Sequence, residues 1–135
     1  MDGADLTAFI RTQRSEAAQS NAPLKDIRII DLGSVVAAPF AATVLGDYGA
    51  EVIKIEPPKT GDPVRVWRMM DGGTSLWWRS LGRNKKCITV DLRSDAGRQI
   101  ARELAWKCDV IVENFKPGTM EKWKLGPEDI KARNE

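Results

Sequence analysis

Between residues 59 and 93 the chain concentrates positive charge: Lys59, Arg65, Arg68, Arg79, Arg83, Lys85, Lys86 and Arg93 face only Asp62, Asp71 and Asp91, a local surplus of five. A basic stretch of that kind suits a polyanion such as the phosphates of a nucleotide. It suits equally a solvated surface whose counter-charges come from elsewhere in the fold. Trp67, Trp77 and Trp78 interleave with the cations. An aromatic beside an arginine can sandwich a base, although tryptophan more often serves a core or a subunit interface. Residues 33–39, GSVVAAP, hold one glycine, so the GxGxxG fingerprint of dinucleotide sites is absent, and there is no Walker A sequence. Ala37 and Ala38 before Pro39 would still let a ligand approach a helix start, where free N–H groups favour phosphate; the same small residues serve plain helix–sheet packing.

Other chemistries are excluded by what is missing. There is no histidine, which removes the usual general base and the commonest metal ligand. Cys87 and Cys108 lie far apart without CxxC spacing, so neither a structural zinc site nor a disulfide framework is expected, and a reduced cytoplasmic setting fits. Both are expected to pack beside strands as small hydrophobes. A net charge of +2 on 135 residues argues for neither nucleic acid nor an anionic membrane surface, and no apolar run approaches the roughly 20 residues of a membrane span.

The elements that would position these groups alternate. IRIIDL at 27–32, EVIKI at 51–55, CITVDL at 87–92 and DVIVE at 109–113 read as strands. VVAAPFAATVLGDYG between the first two reads as a helix, with Gly49 at its C-terminus. SDAGRQIARELAWKC reads as another, capped by Ser94, with Ile100, Ala101, Leu104 and Ala105 on one face. Residues 57–74 read as a long loop and SLWWRSL as a short helix. Repeated strand–helix alternation predicts a Rossmann-like open α/β sheet with parallel strands over residues 23–135, after a tail at 1–22. Ligands of such sheets bind outside the carboxyl ends of the strands. Those ends lead here to GSVVAAP, EPPKTGD, DLRSDAG and ENFKPG, which one crevice could unite.

PLKDIRIIDLGSVVAAPFAATVLGDYGAEVIKIEPPKTGD, RNKKCITVDLRSDAGR and DVIVENFKPGTMEKWKLG, in this order, resemble the opening of class III coenzyme A transferases, the group of formyl-CoA and carnitine CoA-transferases. The resemblance covers roughly residues 23–135. It implies an enzyme that moves CoA from an acyl-CoA, such as succinyl-CoA, to a free carboxylic acid, with coenzyme A thioester as substrate and no further cofactor or metal. An aspartate carboxylate attacks the thioester to give a mixed anhydride and CoA thiolate. CoA returns to form an enzyme thioester, and the acceptor acid displaces it. The CoA-contacting positions that match are Val36 and Ala37, then Val90, Asp91, Leu92 and Arg93, then Asn114, Phe115 and Lys116, and finally Lys122. Pro57 stands where several members place an arginine, and Lys116 where many do; lysine keeps the charge but loses the bidentate fork. The resemblance places the nucleophilic aspartate beyond the segment matched by VENFKPG, and none of Asp31, Asp47, Asp62, Asp91 or Asp109 occupies its motif. The chain is therefore expected to be the front part of such an enzyme, inactive alone, within an interlocked homodimer in the cytoplasm, without nucleic-acid or membrane partners. Two other readings stay open: a non-catalytic nucleotide- or CoA-binding Rossmann-like module, and an interaction protein with a basic face.

Overall fold

A computed structural model describes residues 21–133; most of the tail expected at 1–22 lies outside the described residues. Four strands, β1 (Arg28–Asp31), β2 (Glu51–Glu56), β5 (Lys85–Thr89) and β6 (Val110–Val112), form one sheet in the order β5–β2–β1–β6. Every pairing in it is parallel, as the alternation predicts. Helix α1 (Ala37–Asp47) links β1 to β2, and α3 (Asp95–Ala105) links β5 to β6. The β-branched residues of β1 and β2 are buried because both faces of the sheet are covered. On one face Ile29 and Val52 pack with Ala42 of α1. On the other, Ile30 and Ile55 pack with Ala101 and Leu104 of α3, and with Met120 and Leu125 further on. Helix α3 has the expected cap: the Ser94 hydroxyl accepts from Gly97 N at 3.0 Å.

Several expectations are corrected. The third strand runs over Lys85–Thr89, not 87–92. Val90 N makes one more ladder bond, to Glu56 O at 2.9 Å. The chain then turns, because the Asp91 carboxylate accepts from Arg93 N and ends the extended run. Val90 to Arg93 are thus loop residues just past a strand. On α3, Ile100 is exposed, while Ala101, Leu104 and Ala105 are buried as expected. Cys87 is exposed on the edge strand β5, whereas Cys108 is buried. Residues 57–74 also carry more structure than a loop. Pro63–Val66 form a 3-10 turn capped by Asp62, and β3 (Met70–Asp71) pairs antiparallel with β4 (Thr74–Ser75). The short helix expected at SLWWRSL is present as α2 (Leu76–Leu81). Two further short helices, α4 (Thr119–Lys122) and α5 (Pro127–Lys131), follow β6.

Candidate functional site

The connections leaving all four parallel strands meet in one crevice of about 730 Å³. Its walls are Leu32–Ser34 after β1, Ile55 and Glu56 at the end of β2 with Pro57–Pro63 after it, Val90–Arg93 after β5, and Phe115 after β6 backed by Trp123. Helices α1 and α3 cover opposite faces of the sheet, and the strand order β5–β2–β1–β6 reverses direction between β1 and β6. This is the switch point at which doubly wound sheets open a cleft.

Two devices fix the walls. Asn114 clamps the first connection to the last: its Oδ1 accepts from Ser34 N and its Nδ2 donates to Ser34 O, both at 2.9 Å. Gly33 permits this contact, since a Cβ there would sit 2.9 Å from Asn114 Oδ1 and 2.3 Å from the Ala38 Cβ. The second device is ionic and wholly buried. Lys54 Nζ donates to Gly33 O at 2.8 Å and lies 3.1 Å from Asp62 Oδ2 and 3.5 Å from Asp31 Oδ2. Asp31 also pairs with Lys85 at 2.9 Å and accepts from Gly33 N. Asp62 accepts from Val64 N and from Val35 N, a residue held at φ 67°. Buried charges require such partners. Together they tie the β1 and β2 connections together beside the crevice. Burial lowers the Lys85 ammonium below the usual lysine value, and the Asp31 carboxylate works against that shift.

Val90, Asp91, Leu92, Arg93 and Phe115 all line the crevice. Arg93 is exposed and grips its neighbour, Nε to Asp91 Oδ1 at 2.9 Å and Nη2 to Oδ2 at 3.3 Å. That contact holds the Asp91 carboxyl below, and the Arg93 guanidinium above, their ordinary values. Asn114 acts through the Ser34 clamp. Val36 and Ala37 sit at the exposed start of α1, adjoining the crevice without forming its wall. Lys116 lines a second groove of about 500 Å³ beside β6, shared with Phe115 and Ile130, and Lys122 lines neither.

The basic stretch is largely neutralised within the chain. Arg65 pairs with Glu56 and stacks 3.7 Å over Trp78. Arg79 pairs with Asp71, Arg83 with Asp47, Lys85 with Asp31 and Lys86 with Glu51. Trp67 and Trp77 meet edge to face at 6.5 Å and are partly exposed, so neither is core. Sequence reasoning missed Lys54 and its carboxylates. The signal was a lysine inside the apolar run EVIKI, at a position that a sheet covered on both faces buries.

The sequence profile of CoA-transferase family III matches residues 24–135. The chain belongs to CoA-transferase family III. It is 50% identical over 113 residues to the succinyl-CoA–D-citramalate CoA-transferase of Chloroflexus aurantiacus, covering 83% of this chain and 28% of that protein. It is 46% identical over 121 residues to human succinyl-CoA:glutarate CoA-transferase, covering 88% of this chain and again 28% of the relative. Among solved structures, a CaiB/BaiF family protein from Brucella suis superposes with a TM-score of 0.78 at 36% identity, over 85% of this chain and 32% of that one. The chain thus spans under a third of the length of these family members. Among the described residues, no group of His, Cys, Asp and Glu is arranged to hold a metal ion, and no helix is long and apolar enough to cross a membrane.

Proposed function

We propose that residues 23–135 form the coenzyme A-holding part of a CoA-transferase, which moves CoA from succinyl-CoA to a free carboxylic acid. The observation that carries this reading is the single crevice at the carboxyl ends of the four parallel strands, inside the segment that matches the family. The succinyl donor is supported by the names of the two relatives above.

In the proposed reaction an aspartate carboxylate attacks the thioester carbonyl. The C–S bond breaks, a mixed anhydride forms, and CoA thiolate leaves. The thiolate then attacks the aspartyl carbonyl and releases succinate. The acceptor carboxylate displaces CoA from this enzyme thioester, and the returning thiolate takes the acceptor acyl group, restoring the aspartate. This is nucleophilic catalysis by a carboxylate. No aspartate within residues 1–135 matches the family's nucleophile, so that group is assigned outside them. The role of the described residues is to bind and orient CoA, which lowers the entropic barrier to the attack. A homodimer in the cytoplasm is part of the proposal.

Two measurements test it. Titration calorimetry of the 135-residue chain should show CoA binding in preference to ATP and NAD. A chimera carrying residues 23–135 in place of the matching segment of the D-citramalate CoA-transferase should exchange CoA between succinyl-CoA and its acceptor. CoA binding with an inactive chimera would favour a non-catalytic CoA-binding module, and absence of CoA binding would overturn the proposal.

A further inference from the structure

Among the described residues, one cation at the crevice lacks a counter-charge. Three acids line it, and each has a cation of its own: Glu56 has Arg65, Asp62 has Lys54 and Asp91 has Arg93. The cations that line it are Arg93, committed to Asp91, and Lys59. Among the described residues Lys59 has no ion-pair partner, and it is exposed. The crevice therefore carries an unneutralised positive charge on the β2 connection.

The backbone there is pre-shaped. Lys59 is held at φ 68°, the left-handed region that an ordinary side chain seldom occupies. Two tight turn bonds hold it, Thr60 N to Pro58 O at 2.8 Å and Gly61 N to Pro57 O at 3.1 Å. Prolines at 57, 58 and 63 fix further φ angles. The far end of the loop is anchored by Asp62 to the buried Lys54. A rigid loop loses little conformational freedom when it meets a ligand, so it is a favourable place for a flexible lysine to act.

We infer that Lys59 is a phosphate-binding residue of this crevice and gives it its preference for CoA over phosphate-free pantetheine. The inference rests on the CoA reading above and names a residue within it. A lysine ammonium acts as a point charge toward phosphate and needs no fixed fork geometry. Its contact with an ionised group is worth about tenfold in affinity.

The test is calorimetric titration of the 135-residue chain with CoA and, separately, with pantetheine. Lys59→Gln should weaken CoA binding about tenfold and leave pantetheine binding unchanged, while Lys59→Arg restores CoA affinity to within about threefold. Because Lys59 is exposed and off the core, equal melting temperatures would confirm that the variants keep the fold. If the wild-type chain binds CoA and Lys59→Gln binds it within about twofold as well, this inference falls and the CoA reading stands. Equal weakening of CoA and pantetheine would also overturn it, since pantetheine has no phosphate. If the wild-type chain does not bind CoA, both fall.

Discussion

Replacing Lys54 with methionine removes one charge from a fully buried network and keeps most of the side-chain volume. Asp31 would retain Lys85 at 2.9 Å and the Gly33 N–H. Asp62 would retain only N–H donors, from Val35 and Val64. The substitution therefore leaves one carboxylate buried without a counter-charge and the Gly33 carbonyl without its lysine. Breaking a buried pair on one side costs about 3–5 kcal/mol. With an m-value of about 2 kcal/mol/M, the urea midpoint should fall by about 1.5–2.5 M. Lys54→Met combined with Asp62→Asn removes both charges, and should recover at least about 1 kcal/mol of the loss through coupling between contacting sites. Urea unfolding of wild type, both single variants and the double variant measures this directly. A loss below about 1 kcal/mol for Lys54→Met, or simple additivity in the double variant, would refute the claim that Lys54 neutralises the carboxylates beside the crevice.

Alkaline pH should destabilise the chain through Cys108, whose thiol is pushed up by burial from 9.0 to about 12. The unfolded thiol ionises first, so this contribution is fully present below pH 9.0 and is lost as pH rises toward about 12, at up to about 1.4 kcal/mol per pH unit. Urea midpoints measured over that window should fall more steeply for wild type than for Cys108→Ala; taking the difference cancels the opposite contribution of Lys85, and equal slopes would contradict it. Gly97→Ala should displace the crevice wall at Asp91, because a Cβ there would stand 2.0 Å from the Asp91 carbonyl oxygen. CoA affinity should drop at least about tenfold with that substitution, and an unchanged dissociation constant would show that the 91–93 segment does not shape the site.

The parallel sheet was legible because IRIID and EVIKIE are apolar runs that only a sheet covered on both faces can bury. The third strand begins before the apolar run CITVDL because β5 lies at the sheet edge, where KKCIT is half exposed and does not read as a buried run. Ile100 illustrates a related limit: helical periodicity sets a face but not the width of the neighbour that covers it, and α3 buries Ala101 and Leu104 while leaving Ile100 at the margin. The basic stretch misled for a different reason. Its counter-charges are distant in sequence, as with Lys85 and Asp31 or Arg83 and Asp47, so local composition showed a surplus that the fold largely cancels. The convergence of four strand ends on one crevice could be anticipated from topology alone. The Ser34–Asn114 clamp and the Lys54 network could not, because each joins segments that only the finished register brings together.

Two-dimensional amide NMR of the chain during titration with CoA would place the ligand residue by residue. The largest shifts are expected at Gly33 and Ser34, at Lys59 to Gly61 and at Asp91 to Arg93, the walls of the crevice at the strand ends. Shifts confined instead to Glu121–Lys131, around the groove beside β6, would contradict the assignment of that crevice as the coenzyme A site.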